Sequence, residues 1–408
     1  MSYSAARLTA AAFRAIGINA APAPDSNQDT LELGGLHSSG EECLPHKITL
    51  GDFLRVCRQP DFDPSKTAFF MPRAPGPCRF GLYAPYLRKV LDEHGFHDVP
   101  VLSPDSRNNY GELGDHGSYL MRFAWMGIVV SDIATRFLLK TRPYETSSGD
   151  ADAAFEESVE DLGQTLAVVD QTPKQKLPAL VAAVTRMRER FHAVPARYTR
   201  ERPLIGLVGE IFCRLNTFSN EDAARRIEKL GGECWLSDIS EWVWYTNWSR
   251  QVDCVRDQGC FTAAFLKHFL KTKVQHSYER ALMAPVSDDF KGYEEPHDIR
   301  EVLRFSEPYL PATGALGEMT LSVGKAVYLY EKGADGIIDI SPFTCMNGIV
   351  SEAIYPAISA DHDNLPIRSL YFDKVNTHID RDLEIFLDLA RAYQRRKHRP
   401  RVFPDFFK

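Results

Sequence analysis

Short apolar runs alternate with helix-length amphipathic stretches along this chain, and that alternation most limits how it can fold. Thr67–Met71, Val99–Leu102, Leu204–Val208, Ile337–Ile340 and Leu365–Phe372 are strand-sized, and Cys234–Leu236 begins another such run. Between them, Ala5–Ile16, Lys47–Cys57, Leu82–His94, Glu221–Leu230, Ile349–Ile358 and Arg381–Arg395 carry apolar residues at helical spacing. Gly17, Gly95 and the pair Gly231–Gly232 stand where helices stop. Strand, helix and strand in turn predict an α/β fold. Strand signals vanish between residues 119 and 192, where 119–140 and 154–192 read as helices; 250–285 reads as helical too. The expectation is two doubly wound lobes with a helical insertion: an N-terminal lobe over 1–118, an insertion or cap over 119–198, and a C-terminal lobe over 199–408.

With 408 residues, 44% of them hydrophobic, the chain can bury a large core unaided. No window holds the 18 apolar residues of a membrane-spanning helix, so no membrane partner is expected. The first twenty residues lack a secretory apolar core and cleavage site and read as a first folded helix, which predicts a cytoplasmic protein. The net charge of −7 argues against a nucleic-acid binder. The one basic run, Arg395–Arg401, reads as a solvated helix end.

There are eight cysteines and no CxxC pair, which disfavours a zinc ribbon or a bacterial-type ferredoxin. In a reducing compartment a disulfide framework is not expected either. Three cysteines share one context. Cys78 and Cys345 lie in loops between a strand and a helix, and Cys43 lies in a loop running into a helix, with Gly or Pro near each. Such loops gather at the carboxyl ends of strands in open α/β sheets. Free N–H groups and the dipole at helix starts stabilise thiolates and anionic clusters. Three converging thiolates would leave one corner of an iron–sulfur cubane open to an external ligand. The alternative for each cysteine is a small buried hydrophobe. Cys57, Cys213 and Cys234 read as core, and Cys254 and Cys260 as candidate extra ligands.

The segments GEECLPHKITLGDFL, PGPCRFGLY, GLVGEIFCRLNTFSNEDAARRIEKLGGECWLSDISEWVWYTN and PFTCMNGIVSEAIYPAI resemble the 2-hydroxyacyl-CoA dehydratase D-component family. The similarity is to the branch found, in large proteins, fused behind an ATPase domain related to the dehydratase activators. It covers nearly the whole chain. It implies two flavodoxin-like lobes around an oxygen-sensitive 4Fe-4S cluster bound by Cys43, Cys78 and Cys345. Some relatives carry a double-cubane cluster on six cysteines; only three positions match here, so this would be half of one. The chain has no GxxxxGK[ST] nucleotide loop of its own, and Asn347 stands where the family pattern has Pro.

Other candidates come from position. Lys47 and Arg79, beside the first two cysteines, could donate to cluster sulfides or substrate anions, or simply face solvent. Glu210, after a buried strand, could be a catalytic acid–base group or anchor a loop. Ser351 and Glu352 read as a helix N-terminus. His46 and His116 show no partner in sequence, and no Ser/His/Asp order supports a hydrolase. The resemblance implies an electron-transfer component of a reductase or dehydratase complex, acting on a small molecule such as a CoA ester. An ATPase activator would supply low-potential electrons, and a companion subunit or second copy would complete the assembly. The alternatives are a non-catalytic relay or scaffold subunit that bears the cluster, and a cluster-free α/β binding protein.

Overall fold

The run Leu204–Gly209 is buried at all six positions, as a strand covered on both faces must be. The structure, a computed structural model, describes residues 2–73, 76, 78–104, 117–258, 262–314, 317–374 and 379–407. The chain opens with helices α1 (Tyr3–Arg14), α2 (Gln28–Leu36) and α3 (Leu44–Cys57). Strand β1 (Phe69–Phe70), helix α4 (Tyr83–Glu93) and strand β2 (Val101–Leu102) follow. Then come α5 (Gly117–Thr141), α6 (Asp150–Ala167) and α7 (Pro173–Ala193). The rest runs β3 (Leu204–Gly209), α8 (Ile211–Leu215), α9 (Ala223–Lys229), β4 (Glu233–Leu236), α10 (Ile239–Gln258), α11 (Ala263–Met283) and α12 (Ile299–Ser306). It ends with α13 (Gly317–Glu331), β5 (Gly336–Pro342), α14 (Met346–Asp361), β6 (Ile367–Phe372) and α15 (Ile379–Gln394).

The fold is α/β. Four strands form one parallel sheet in the order β4-β3-β5-β6, with Ile205 opposite both Cys234 and Gly336. Counted within this sheet the order is 2-1-3-4, the start of a doubly wound arrangement. The connection after β3 leads outward to β4, whereas that after β5 leads outward to β6. The crevice between the carboxyl ends of β3 and β5 is therefore a topological switch point, where ligands of such sheets bind. The N-terminal region contributes a smaller parallel pair, Phe69 opposite Val101 and Phe70 opposite Leu102.

Helices α5, α6 and α7 cover the stretch read as an insertion, and no strand lies in it. Their apolar faces share one core with α1, α10, α12, α13 and β3. From the N-terminal region, Leu44 and Ile48 of α3 pack with Ile205, Leu207, Ile338 and Ile340 of the sheet. That contact seats the start of α3 at the switch point. Helix α2 lies against α3 with glycine at the crossing: a Cβ on Gly34 would stand 1.9 Å from the Lys47 carbonyl oxygen, and one on Gly51 1.9 Å from that of Thr30.

Some local expectations are corrected. The stretch 154–192 is two helices, because Thr172 forms a capping box with Gln175 and Pro173 opens a new helix. The stretch 250–285 is likewise divided between α10 and α11. Ser351 and Glu352 lie in the second turn of α14 rather than at its start, because that helix begins at Met346. No helix among the described residues is long and apolar enough to cross a membrane.

Candidate functional site

Each of the three cysteines in matched loops is a helix N-cap. Cys43 caps α3, Cys345 caps α14, and Cys78 caps the 3-10 turn Arg79–Leu82 that runs into α4. All three have extended backbones, with ψ of 154°, 121° and 134° respectively. An N-cap side chain normally accepts hydrogen bonds from the first free N–H groups of its helix. None of the three sulfurs makes such a cap bond, but nearby N–H groups, of His46 at Cys43, Phe80 at Cys78 and Asn347 and Gly348 at Cys345, favour the thiolate.

Arg79 joins the three loops. Its guanidinium donates to the Glu41 carbonyl at 2.6 Å, two residues before Cys43. It also donates to the carbonyl and hydroxyl oxygens of Thr344 at 3.4 and 3.3 Å, one residue before Cys345. Arg79 itself follows Cys78. Thr344 has φ +65°, an uncommon conformation for a β-branched residue and one that clusters at functional sites. The Tyr83 hydroxyl lies 3.0 Å from the Cys43 sulfur.

Glu210, immediately after β3, caps α8, accepting from the N–H groups of Phe212 at 3.1 Å and Cys213 at 2.7 Å. It thus anchors the turn at the switch point. Glu318, at the start of α13, is the carboxylate that sequence reading missed. It accepts from the Ile211 N–H at 2.9 Å and from the Asn347 side-chain amide at 3.1 Å. Asn347, the departure from the family pattern, thereby ties the Cys345 loop to α13. Burial and the neighbouring Glu210 carboxylate push the Glu318 carboxyl up to about 8. A small cleft lined by Gly209, Ile211, Arg214, Glu241, Trp242 and Glu318, with room for about one water molecule, adjoins it. Lys47 is half-buried in the first turn of α3, with no hydrogen bond or ion pair among the described residues. His46, buried between the rings of Tyr83 and Tyr86 at 4.9 Å each, has no hydrogen-bond partner on either nitrogen. Burial holds it below the usual histidine range.

Partial burial pushes the Cys43 and Cys345 thiols up, Cys345 to about 12; Cys78, though exposed, is raised by the protein crowded around its sulfur, and the Glu210 charge adds to this at each. Without a metal they keep their protons at neutral pH. Among the described residues, no three His, Cys, Asp or Glu side chains come close enough to share one metal ion. A cubane asks less of its ligands, since its thiolates stand roughly 6–7 Å apart given Fe–S bonds of ~2.3 Å. Three thiols at helix N-caps, with free N–H groups nearby, are a donor set that fits such an anionic cluster. Cys213 is buried and packs in the sheet's core. Cys234 lies buried in β4, Cys57 ends α3 and Cys254 sits in α10. Cys260 and His116 lie outside the described residues.

Glu318 carries no sequence signal beyond an acid near a helix start. Tyr83 had one, five residues after Cys78 in the same loop-to-helix segment. No protein-family model, no curated protein and no solved structure matches the chain.

Proposed function

We propose that this chain is the iron–sulfur component of an ATP-dependent reductive system of the 2-hydroxyacyl-CoA dehydratase type. Cys43, Cys78 and Cys345 would hold a 4Fe-4S cluster, or half of a double cubane. Bound there, the group would supply low-potential electrons to a small substrate such as a CoA ester. The observation that carries the reading is the Arg79 clamp: one guanidinium ties together three loops, each ending in a cysteine that caps a helix.

The chain's own residues have definite tasks in this reading. The N–H groups of His46, Phe80, Asn347 and Gly348 stabilise negative charge on the sulfurs. The Tyr83 hydroxyl does the same at Cys43. Arg79 positions the loops, and its two carbonyl bonds leave it little freedom to meet a substrate anion. Glu210 fixes the α8 turn. Glu318, with its carboxyl up to about 8, keeps a proton at neutral pH beside the cleft.

The test is anaerobic purification with reconstitution, followed by iron and sulfide analysis and EPR. About four irons and four sulfides per chain are expected. Replacing any one of the three cysteines by alanine should remove most of them. Failure to retain iron, or equal retention by Cys78→Ala, would overturn the proposal.

A further inference from the structure

A second cavity lies between α5, the end of β4 and the turn Ala284–Phe290, and its lining includes Asp132, Arg136, Lys140, Ser237, Asp238 and Phe290. Three donors in this lining have no hydrogen-bond partner although they are buried: Lys140 Nζ, Arg136 Nη1 and Ser237 Oγ. Lys140 is only 5% exposed and Ser237 1%. A spacing of four residues puts Arg136 and Lys140 on one face of α5, and both stand over the Phe290 ring, at 5.6 and 5.2 Å. An orphaned buried donor is costly, and an orphaned buried cation more so.

The acids nearby are already engaged. Asp238 is paired with the Nε and Nη2 of Arg136, which leaves Nη1 over. Asp132 accepts from the N–H groups of Ile239 at 3.1 Å and Ser240 at 2.9 Å, and burial, with the Asp238 charge, raises its carboxyl well above the ordinary range. Asp289 is bound by Arg188 and His192, and Glu233 by Arg401, Tyr144 and Tyr293. Lys140 is left with the ring faces of Phe290, Tyr293 and Phe406, at 5.2, 5.3 and 4.6 Å. Aromatic faces offset only part of an ammonium's lost hydration.

We propose that this cavity is a binding site for a small carboxylate anion, held by Lys140 Nζ, Arg136 Nη1 and Ser237 Oγ. Asp238 takes Arg136 and Asp132 takes backbone N–H groups, so Lys140 is the lining cation without an acidic partner among the described residues, and a single carboxylate matches it better than a multiply charged phosphate. Leu139 and Phe290 give its carbon end an apolar wall. Burial lowers the Lys140 ammonium to about 7, and a bound anion would restore its charge. The site is separate from the cysteine loops and does not depend on what they hold.

Trp235 lines the same cavity and provides a reporter. The full chain is titrated with sodium acetate, sodium chloride and sodium phosphate at constant ionic strength, following tryptophan fluorescence and the melting temperature. Acetate should give a saturable fluorescence change and a higher Tm, with chloride and phosphate at least several-fold weaker. Lys140→Met should weaken acetate about tenfold or more, and Ser237→Ala about threefold, the range for lost charged and neutral hydrogen bonds. Ser237→Ala removes only a hydroxyl and decides the matter should Lys140→Met fail to fold. An acetate response no stronger than that of chloride, or one unchanged in the variant that folds, would overturn the site.

Discussion

On sequence alone Arg79 could donate to a cluster or a substrate anion or simply face solvent; in the fold its guanidinium is engaged by the Glu41 and Thr344 carbonyls and the Thr344 hydroxyl. This gives it a testable signature. Arg79→Lys keeps the charge but offers one compact head that cannot span both loops. Because the residue is half-buried and donates three hydrogen bonds, the metal-free variant should lose only about 1 kcal/mol. Iron retained per chain after anaerobic gel filtration should nonetheless drop severalfold. Wild-type retention would show that the clamp is incidental. Glu318 makes a separate prediction in pH. Its folded carboxyl titrates at about 8, against an unfolded value near 4.3. The folded chain therefore binds more protons between those values, so stability falls as pH rises through that window. Glu210 shares in the effect because the two carboxylates titrate together. Urea unfolding of the metal-free chain at pH 5, 6, 7 and 8 should show this decline, and Glu318→Gln should flatten it.

Among the elements, the pair α2 and α3 is the most exacting. Two glycines let the helices touch backbone to backbone, and α3 carries Cys43 at its first cap. Gly51→Ala would press a methyl group into the Thr30 carbonyl. Overpacking of this kind should cost about 2–3 kcal/mol, read from chemical denaturation, and iron retention should fall with it as the cap moves. Much of this level was legible in sequence. β3 is an unbroken apolar run, and β5 is one apart from Asp339 and Ser341, as buried parallel strands tend to be. The cysteine loops announced themselves through Gly and Pro neighbours. α2 was missed although Asn27 and Thr30 form a capping box a reader can spot. α13 was missed for a firmer reason: it is buried nearly all round, so it has no polar face to give it a period. With it went Glu318, and Lys325, which is wholly buried between Glu241 and Glu295. The limits of α6 and α7 depended on one cap, Thr172, inside a stretch that otherwise reads as continuous helix.

At the scale of the molecule, the site exists only where distant parts of the chain meet. Two of its cysteines come from the N-terminal quarter, and the third from the end of a strand near the sheet's centre. A reductive role of the kind proposed also needs an outside source of energy, because the sequence holds no nucleotide loop. Dithionite should therefore reduce the reconstituted chain directly, whereas ATP should do so only with an activator ATPase, as followed by EPR. ATP hydrolysis and self-reduction by the chain alone would refute that division of labour.

Cys78 and Cys345 are 267 residues apart in sequence. At a synthesis rate of about 5–20 residues per second, the third cysteine leaves the ribosome roughly 15–50 seconds after the second. During that interval Cys43 and Cys78 form an incomplete pair on an unfinished chain, with neither β5 nor Thr344 yet made to receive the Arg79 clamp. Any inorganic group must therefore be delivered to a finished fold, and delivery belongs to maturation rather than to translation.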